Sequence, residues 1–199
     1  MRLLPGHLDL AAQRALRDRI HALLAEAPLY RPTMPGGDKT MSVRMSNCGP
    51  LGWLTDRAGY RYADRHPETG RPWPAIPDAL IALRDTVTGL PYRPEACLIN
   101  RYDAGSRLGL HVDQDEGDFS APVVSVSLGD QALFRVGGAT RKHPTRSLRL
   151  SSGDVVVLEG ESRLWFHGVD RIYPGTSTLL EGGGRLNLTL RRVTTAPSG

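Results

Sequence analysis

Two histidines and one aspartate stand at spacings that could bind a metal ion. His111 and Asp113 are two residues apart, and His167 ends a later short apolar segment. In an extended chain, residues i and i+2 point to the same face, so this imidazole and this carboxylate could converge on one ion. Two histidines and a carboxylate leave three coordination positions open, which is the arrangement of non-haem Fe(II) oxygenases. The pattern alone is weak, because chance matches are frequent, and a packed core histidine at position 167 is the alternative.

The segment 185–191 could bind a small anion. Polar and apolar residues alternate along it without a break, so a strand here would have one leucine face and one polar face. Either it is an edge strand with its polar face in water, or that face lines a barrel and its guanidinium groups bind a dianion. Asn100 and Tyr102 share one face of another strand and could add hydrogen bonds. Iron ligands together with a carboxylate-binding strand are what a 2-oxoglutarate-dependent oxygenase requires.

Basic residues are concentrated in one part of the chain. The 25 basic and 21 acidic residues give a formal net charge of only +4, which hardly argues for a polyanionic partner. Residues 131–153, however, contain no acidic residue, and their basic ones are Arg135, Arg141, Lys142, Arg146 and Arg149. This block predicts either a loop that contacts phosphates or a solvated surface turn.

The elements that must position these groups are two helices followed by short strands. Apolar spacing predicts helices at 9–27 and 77–88. Between them, residues 32–74 are loop-rich and contain Trp53, Tyr60, Tyr62 and Trp73, which indicates a recognition lid or small strands on the core. Eight strands separated by turn residues are predicted at 96–102, 108–113, 123–128, 132–136, 147–150, 154–159, 164–167 and 185–192.

This order of elements predicts a mainly β fold with some α structure. Many short strands favour a sandwich or jelly roll over a parallel α/β sheet. We expect an N-terminal helical and loop-rich extension over residues 1–95 and a catalytic core over 96–199, which together form one compact unit. No apolar run has the roughly 20 residues of a membrane helix, and no signal-peptide core is present. Because only Cys48 and Cys97 occur, a reducing cytoplasm is the simplest setting.

From about residue 41 to residue 192, the chain resembles the AlkB family of Fe(II)/2-oxoglutarate dioxygenases, which repair alkylated DNA. The ordered segments that carry this resemblance are Met41-Ser42-Val43, Asn47-Cys48-Gly49, Gly52-Trp53, Asn100-Arg101-Tyr102, Leu110-His111-Val112-Asp113-Gln114-Asp115-Glu116, Ala121-Pro122-Val123-Val124-Ser125-Val126-Ser127-Leu128-Gly129, Gly153-Asp154-Val155-Val156-Val157, Gly160-Glu161-Ser162-Arg163, His167-Gly168 and Arg185-x-Asn187-Leu188-Thr189-x-Arg191. The chain departs from the closest bacterial members at Leu158, where a tryptophan is expected, and at Leu186 and Leu190, which replace aromatic residues.

The resemblance implies a double-stranded β-helix core and a specific set of site residues. It implies His111, Asp113 and His167 as iron ligands, with 2-oxoglutarate and O2 as cosubstrates. The residues implied for cosubstrate binding are Asn100, Arg101, Tyr102, Arg185, Leu186, Asn187, Leu188, Thr189, Leu190 and Arg191. Those implied for the nucleic acid are Trp53, stacking on the damaged base, Tyr60, Arg61 and Tyr62 at the backbone, Asp115 and Glu116 beside the base, and Arg141 along the strand. Asp115 is also counted with the catalytic residues.

The implied reaction is oxidative removal of methyl groups from bases such as 1-methyladenine and 3-methylcytosine. Both bases are cations, which the acidic pair Asp115 and Glu116 could stabilise. The expected substrate is single- or double-stranded DNA, with RNA as a further candidate, and the expected state is a monomer. Two other interpretations stay open. One is an Fe(II)/2-oxoglutarate hydroxylase acting on a protein or a small molecule, and the other is a non-catalytic module that binds metal or nucleic acid.

Overall fold

The computed structural model describes residues 1–90 and 93–195, which form twelve strands and two α-helices. The helices are α1 (Leu10–Glu26) and α2 (Asp78–Thr88), and a short 3-10 helix covers Gly160–Leu164. The strands are β1 (Arg2–Leu4), β2 (Arg44–Cys48), β3 (Gly52–Asp56), β4 (Gly59–Ala63), β5 (Ala96–Tyr102), β6 (Leu108–His111), β7 (Val123–Gly129), β8 (Gln131–Val136), β9 (Arg146–Leu150), β10 (Val155–Leu158), β11 (His167–Tyr173) and β12 (Arg185–Arg191). No helix among the described residues is both long and apolar enough to cross a membrane.

The strands form two main antiparallel sheets and one separate hairpin. The larger sheet has the order β1-β10-β7-β12-β5-β2, and the smaller has the order β6-β11-β8-β9. Within residues 1–90 and 93–195, strands β3 and β4 pair only with each other. This arrangement is the predicted jelly roll, in which β12 lies in the interior of the larger sheet. The edge-strand interpretation of residues 185–191 is therefore wrong.

Two apolar clusters cover the two faces of the larger sheet. On one face the helices supply residues such as Leu16, Ile20 and Leu80, which pack with the strand leucine Leu188. The other cluster lies between the two sheets and includes Phe134 and other strand residues. Since the helices cover the outer face, the space between the sheets is left for the site.

Local sequence signals explain where the helices begin and end. The side chain of Asp9 caps α1 by accepting a hydrogen bond of 2.8 Å from the backbone N–H of Ala12. Helix α2 follows Pro77 and ends at Gly89, which has a φ of 65°. That left-handed conformation suits glycine and stops the helix, as the sequence predicted.

The structure differs from the predicted elements in several places. Residues 164–167 are not a strand, because Glu159 and Ser162 cap the short 3-10 helix in this region. His167 instead begins β11. The predicted strand 108–113 ends at His111, so Asp113 follows it in a loop. Strand β1 was not predicted, and β2 is one of the small strands that were an open alternative for residues 32–74. Both belong to the larger sheet although they lie within residues 1–95.

Candidate metal centre and adjoining cavity

The register between β6 and β11 brings the two histidines together. His111 and His167 are direct partners across these strands, and their ring centroids are 4.5 Å apart. Asp113 lies beside both, with Oδ1 3.7 Å from His111 Nε2 and Oδ2 3.9 Å from His167 Nε2. One ligand atom from each residue lies within 4.8 Å of the others. The predicted triad is therefore assembled in space and could bind one metal ion.

Backbone carbonyls orient both imidazoles toward the centre of the triad. His111 Nδ1 lies 3.0 Å from the carbonyl of Gly109, and His167 Nδ1 lies 2.9 Å from that of Trp165. A carbonyl only accepts hydrogen bonds, so each Nδ1 must carry the proton. The lone pair of each ring is then on Nε2, which faces the carboxylate. Burial and the neighbouring His111 lower the pKa of His167 to about 4, which keeps this ligand neutral.

Asp113 is held as an anion by buried guanidinium groups. Burial would raise the pKa of its carboxyl, but nearby charge, that of Arg191 above all, outweighs burial and lowers that pKa below the ordinary value. Arg191 Nη2 donates to Oδ1 at 2.8 Å. The other oxygen, Oδ2, is buried without a hydrogen-bond partner among the described residues, as expected of an atom left for a metal. The donor set fits Fe(II), which accepts two imidazoles and a carboxylate.

Glu116 forms the centre of a second buried network. Its side chain is bound by Arg163 Nη2 at 3.0 Å and by the hydroxyl of Tyr62, and Arg191 Nε lies 3.5 Å away. Arg163 also donates to the backbone carbonyl of Asp113 at 2.7 Å. Both Arg163 and Glu116 are almost completely buried. This network therefore ties the loop after β6 to the metal ligand Asp113.

The polar face of β12 lies between the sheets, as its alternation predicted. All seven residues of β12 are buried, and Asn187, Thr189 and Arg191 line the cavity beside the triad. Across the strand pair, Asn187 faces Asn100 and Arg185 faces Tyr102. The larger sheet thus presents one continuous polar row to the site.

Arg185 is a buried cation whose hydrogen-bonding capacity is largely unused. Its Nη2 donates to Ser127 Oγ at 3.0 Å, but Nε and Nη1 have no partner among the described residues. Burial lowers the pKa of this guanidinium to about 10. Leaving two donors unpaired in the interior is costly, and a carboxylate is the group that would satisfy both. The residues present therefore fit 2-oxoglutarate.

A cavity of about 800 Å³ joins the triad to the aromatic hairpin β3–β4. Trp53 lines this cavity, and its indole N–H donates to Asp115 Oδ2 at 2.7 Å. Tyr60 stacks on Trp53 with ring centroids 5.5 Å apart and remains half exposed. Arg141 also lines the cavity, and it donates to the carbonyl of Leu110 at 2.9 Å. An aromatic surface, a carboxylate and the candidate metal ligands thus share one space.

Several residues expected at the site have other contacts. Leu186, Leu188 and Leu190 pack in the apolar core, because strand alternation turns them away from the polar face. Arg101 points away from the cavity toward Asp103 and the carbonyl of Gly183.

Arg61 and Tyr62, the other two hairpin residues expected at the nucleic acid, contact side chains of the protein itself. Arg61 is paired with Asp56 on the protein surface, and the Tyr62 hydroxyl is bound to Glu116. Glu116 lines the cavity but is already bound by Arg163.

Sequence reasoning missed two buried polar residues, of which Arg163 supports the site. Arg163 ends the segment Gly160-Glu161-Ser162-Arg163, but no role was predicted for it, since its partners lie far away in the sequence. No role was predicted for His66, which is buried between Tyr30 and Trp73. Its Nε2 lies 2.8 Å from the carbonyl of Pro28, and its Nδ1 accepts backbone hydrogen bonds from Glu68 and Thr69. The spacing of neither residue signals these contacts.

Comparisons with known proteins agree with this geometry. Residues 1–191 match the 2OG-Fe(II) oxygenase superfamily. An alpha-ketoglutarate-dependent dioxygenase AlkB homolog of Caulobacter vibrioides is 58% identical over 193 residues, covering 96% of this chain and 87% of that protein. The dioxygenase AlkB of Escherichia coli K12 is 47% identical over 187 residues, covering 92% and 85%. The solved structure of OsALKBH1 has a TM-score of 0.83 at 32% identity, covering 96% and 95%.

More distant relatives are named for the molecules they demethylate. One, from Arabidopsis thaliana, is named a DNA N(6)-methyladenine demethylase, and another, from Schizosaccharomyces pombe, a tRNA demethylase. The cofactor that the superfamily implies is Fe(II), with 2-oxoglutarate and O2 as cosubstrates, and the triad His111, Asp113 and His167 suits it. By sequence, fold and ligand set, the chain belongs to the AlkB family of Fe(II)- and 2-oxoglutarate-dependent dioxygenases.

Proposed function

We propose that this enzyme removes N-linked methyl groups from bases of the 1-methyladenine and 3-methylcytosine type in DNA, with RNA as a second substrate. One observation carries the proposal: a single cavity contains the three candidate metal ligands, Trp53 and Asp115. The named activities of the relatives support a nucleic acid as substrate. The methylated atom lies on the pairing edge of the base, so the base must leave the stack to reach this cavity.

The residues beside the triad are suited to hold the cosubstrate. When bound, Fe(II) with 2-oxoglutarate and O2 supplies the oxidising power that an unreactive N-methyl C–H bond needs. His111, Asp113 and His167 would hold the metal. Arg185 would bind one carboxylate of 2-oxoglutarate through its two unpartnered donors. Asn100, whose Oδ1 is also buried without a partner among the described residues, lies next to it on the same sheet face.

Recognition of the methylated base would depend on Trp53 and Asp115. A flipped base that stacks on the indole ring would place its positive charge close to the Asp115 carboxylate, which Trp53 Nε1 already positions. Glu116 differs, because Arg163 and Arg191 already compensate its charge. We therefore assign preference for cationic bases to Asp115 and a positioning role to Glu116. Tyr60 would extend the aromatic surface, and Arg141 would contact the strand at the cavity.

The remaining assignments are proposals of the same kind. We propose that residues 1–95 supply the recognition segment, with the hairpin β3–β4 at its centre, and that residues 96–199 supply the catalytic core. A monomer suffices, because one chain brings all these side chains to one cavity. A cytoplasmic location suits the two cysteines, which are buried and free.

Comparison of a cationic with a neutral methylated base tests this function. Succinate and formaldehyde are measured with oligonucleotides that carry 3-methylcytosine or 3-methylthymine, and with an unmethylated oligonucleotide. We expect turnover to be fastest on 3-methylcytosine, and Asp115→Asn to slow that substrate at least tenfold with a much smaller effect on 3-methylthymine. Equal slowing on 3-methylcytosine and 3-methylthymine would show that Asp115 does not select cationic bases. Succinate without any methyl loss would favour a protein or small-molecule hydroxylase.

A further inference from the structure

The basic block of residues 131–153 is located on one edge of the smaller sheet. Lys142 lies in the turn between β8 and β9, and Arg146 and Arg149 lie on β9, which is an edge strand. All three side chains are exposed. Strand register places Arg146 near the site, because His111, His167, Val136 and Arg146 are successive partners across the four strands. Arg149 pairs with Leu133 and points to the other face of the sheet. At about 4.8 Å per strand, Arg146 lies about 10 Å from His167.

Lys142, Arg146 and Arg149 have no acidic partner among the described residues, unlike the ten arginines that form ion pairs. Elsewhere arginines form ion pairs, for example Arg44 with Asp103 and Arg61 with Asp56. No ion pair of Lys142, Arg146 or Arg149 occurs in the part of the chain that the structure describes. A cluster of uncompensated charge attracts a polyanion.

Two arginines of the block are held against aromatic rings. The Arg149 guanidinium lies 4.1 Å from the ring centroid of Tyr173, and that of Arg141 lies 5.2 Å from the ring centroid of Phe166. A contact with a ring face restricts the guanidinium of Arg149 without using its N–H groups, which suits paired contacts with phosphate oxygens. Arg141 also donates to the carbonyl of Leu110. The side chains are thus partly ordered before any partner binds.

We propose that Lys142, Arg146 and Arg149 form a phosphate-binding track for the part of the substrate strand that lies outside the cavity. The track continues from Arg141, which lines the cavity, along the exposed edge of β9. This inference rests on the proposed function, since the occupant is the phosphodiester backbone of the same nucleic acid. It adds a dependence on strand length, because a long strand can contact more of these residues than a strand of three nucleotides can.

Edge protection is the competing explanation for these charges. Charged residues on an edge strand prevent pairing with another sheet, and they need no ligand for that purpose. A double variant distinguishes the two roles, namely Arg146→Ala with Arg149→Ala. The matched control is Arg14→Ala with Arg19→Ala, which removes the same charge from exposed positions of α1, on the outer face of the larger sheet.

The experiment measures binding and turnover with methylated single strands of three and fifteen nucleotides across a salt series. We expect the track variant to bind the long strand about tenfold more weakly at low salt, with the salt slope reduced by about 1.4, since each lost phosphate contact removes about 0.7. Its turnover of the trinucleotide should equal that of the unmodified enzyme. The α1 control should match the unmodified enzyme on both strands.

Three outcomes would overturn the track. One is an equal loss of binding and turnover with both oligonucleotides, which would mean that the arginines act on the base in the cavity. Another is no loss with either oligonucleotide, which would leave edge protection as their role. The third is an equal loss of binding in the α1 control, which would show that only the net charge of the protein matters. Failure of the proposed function is distinct, because the unmodified enzyme would then turn over neither methylated strand, while length-dependent binding could still be measured.

Discussion

His111 and His167 are direct cross-strand partners at the point where β6 ends and β11 begins. Their rings are 4.5 Å apart although they are far apart in the sequence. The metal site therefore depends on the close approach of two short strand ends, and not on a local motif. Gly168, next to His167, permits this approach, because a Cβ there would lie 2.6 Å from the carbonyl oxygen of Leu108 and 2.8 Å from that of Gly109.

Substitution of Gly168 tests this dependence without changing a ligand. Gly168→Ala forces β6 away from β11, and we expect it to lower stability by about 1–3 kcal/mol and to weaken metal binding at least tenfold. Gly109→Ala is the control, since a Cβ at Gly109 meets nothing within 4 Å. The measurements are thermal unfolding and titration with Co(II). Unchanged Co(II) affinity in Gly168→Ala would show that strand spacing does not position the histidines.

Arg185 should be required for cosubstrate affinity but not for folding. Arg185→Met replaces a buried guanidinium that has two unpaired donors with an apolar chain, so stability should stay equal or rise. Loss of charge-assisted hydrogen bonds of about 1.5–3 kcal/mol each predicts at least tenfold weaker 2-oxoglutarate binding, measured by calorimetry with Mn(II) in place of iron. Arg101→Met is the control, because Arg101 contacts Asp103 and Gly183 instead. Equal loss in both variants would contradict the assignment.

Arg163 is expected to stabilise the loop that carries Asp113 and Glu116. Arg163→Met removes one partner of a buried ion pair, which costs about 3 kcal/mol because the remaining charge is left under-compensated. It also frees the Asp113 carbonyl, so Co(II) affinity should fall as well. In Arg163→Met with Glu116→Gln, part of the lost stability should return. Additive destabilisation by the two substitutions in urea unfolding would mean that the pair is not coupled.

Two leucines on opposite faces of the larger sheet should differ in their tolerance of a larger side chain. Leu158 lines the cavity, so Leu158→Trp should extend into open space and change the melting temperature little. Leu188 is fully buried between the sheet and the helices, and Leu188→Trp should cost 1–3 kcal/mol or more. Differential scanning calorimetry measures both. A similar large loss in both variants would show that Leu158 does not border usable space.

The sequence predicted the features that depend on local patterns. The capping and spacing signals located α1 and α2, and strand alternation separated the polar face of β12 from its leucines. Features that depend on distant partners were not visible. β2 lies in a loop-rich region, yet it pairs with β5, and Arg163 contacts Glu116 only because the 3-10 helix approaches the loop after β6.

The site residues divide in the same way. Because Arg101, Tyr62 and Glu116 lie within or beside motifs of the family, they were predicted to bind the cosubstrate or the nucleic acid. In the structure, Arg101 contacts Asp103 and the carbonyl of Gly183, and Tyr62 is hydrogen-bonded to Glu116. The spacing of these residues in the sequence does not encode such contacts.

The most direct test of the account is the mass of a methylated single-stranded oligonucleotide after reaction. The enzyme is loaded with Fe(II) and 2-oxoglutarate without oxygen, and oxygen is then admitted. We predict that each oligonucleotide loses the mass of one CH2 unit, with equal amounts of succinate and formaldehyde, and that His111→Ala abolishes all three products. An unchanged mass with bound Fe(II) and no succinate would contradict the claim that this cavity is a demethylase active site.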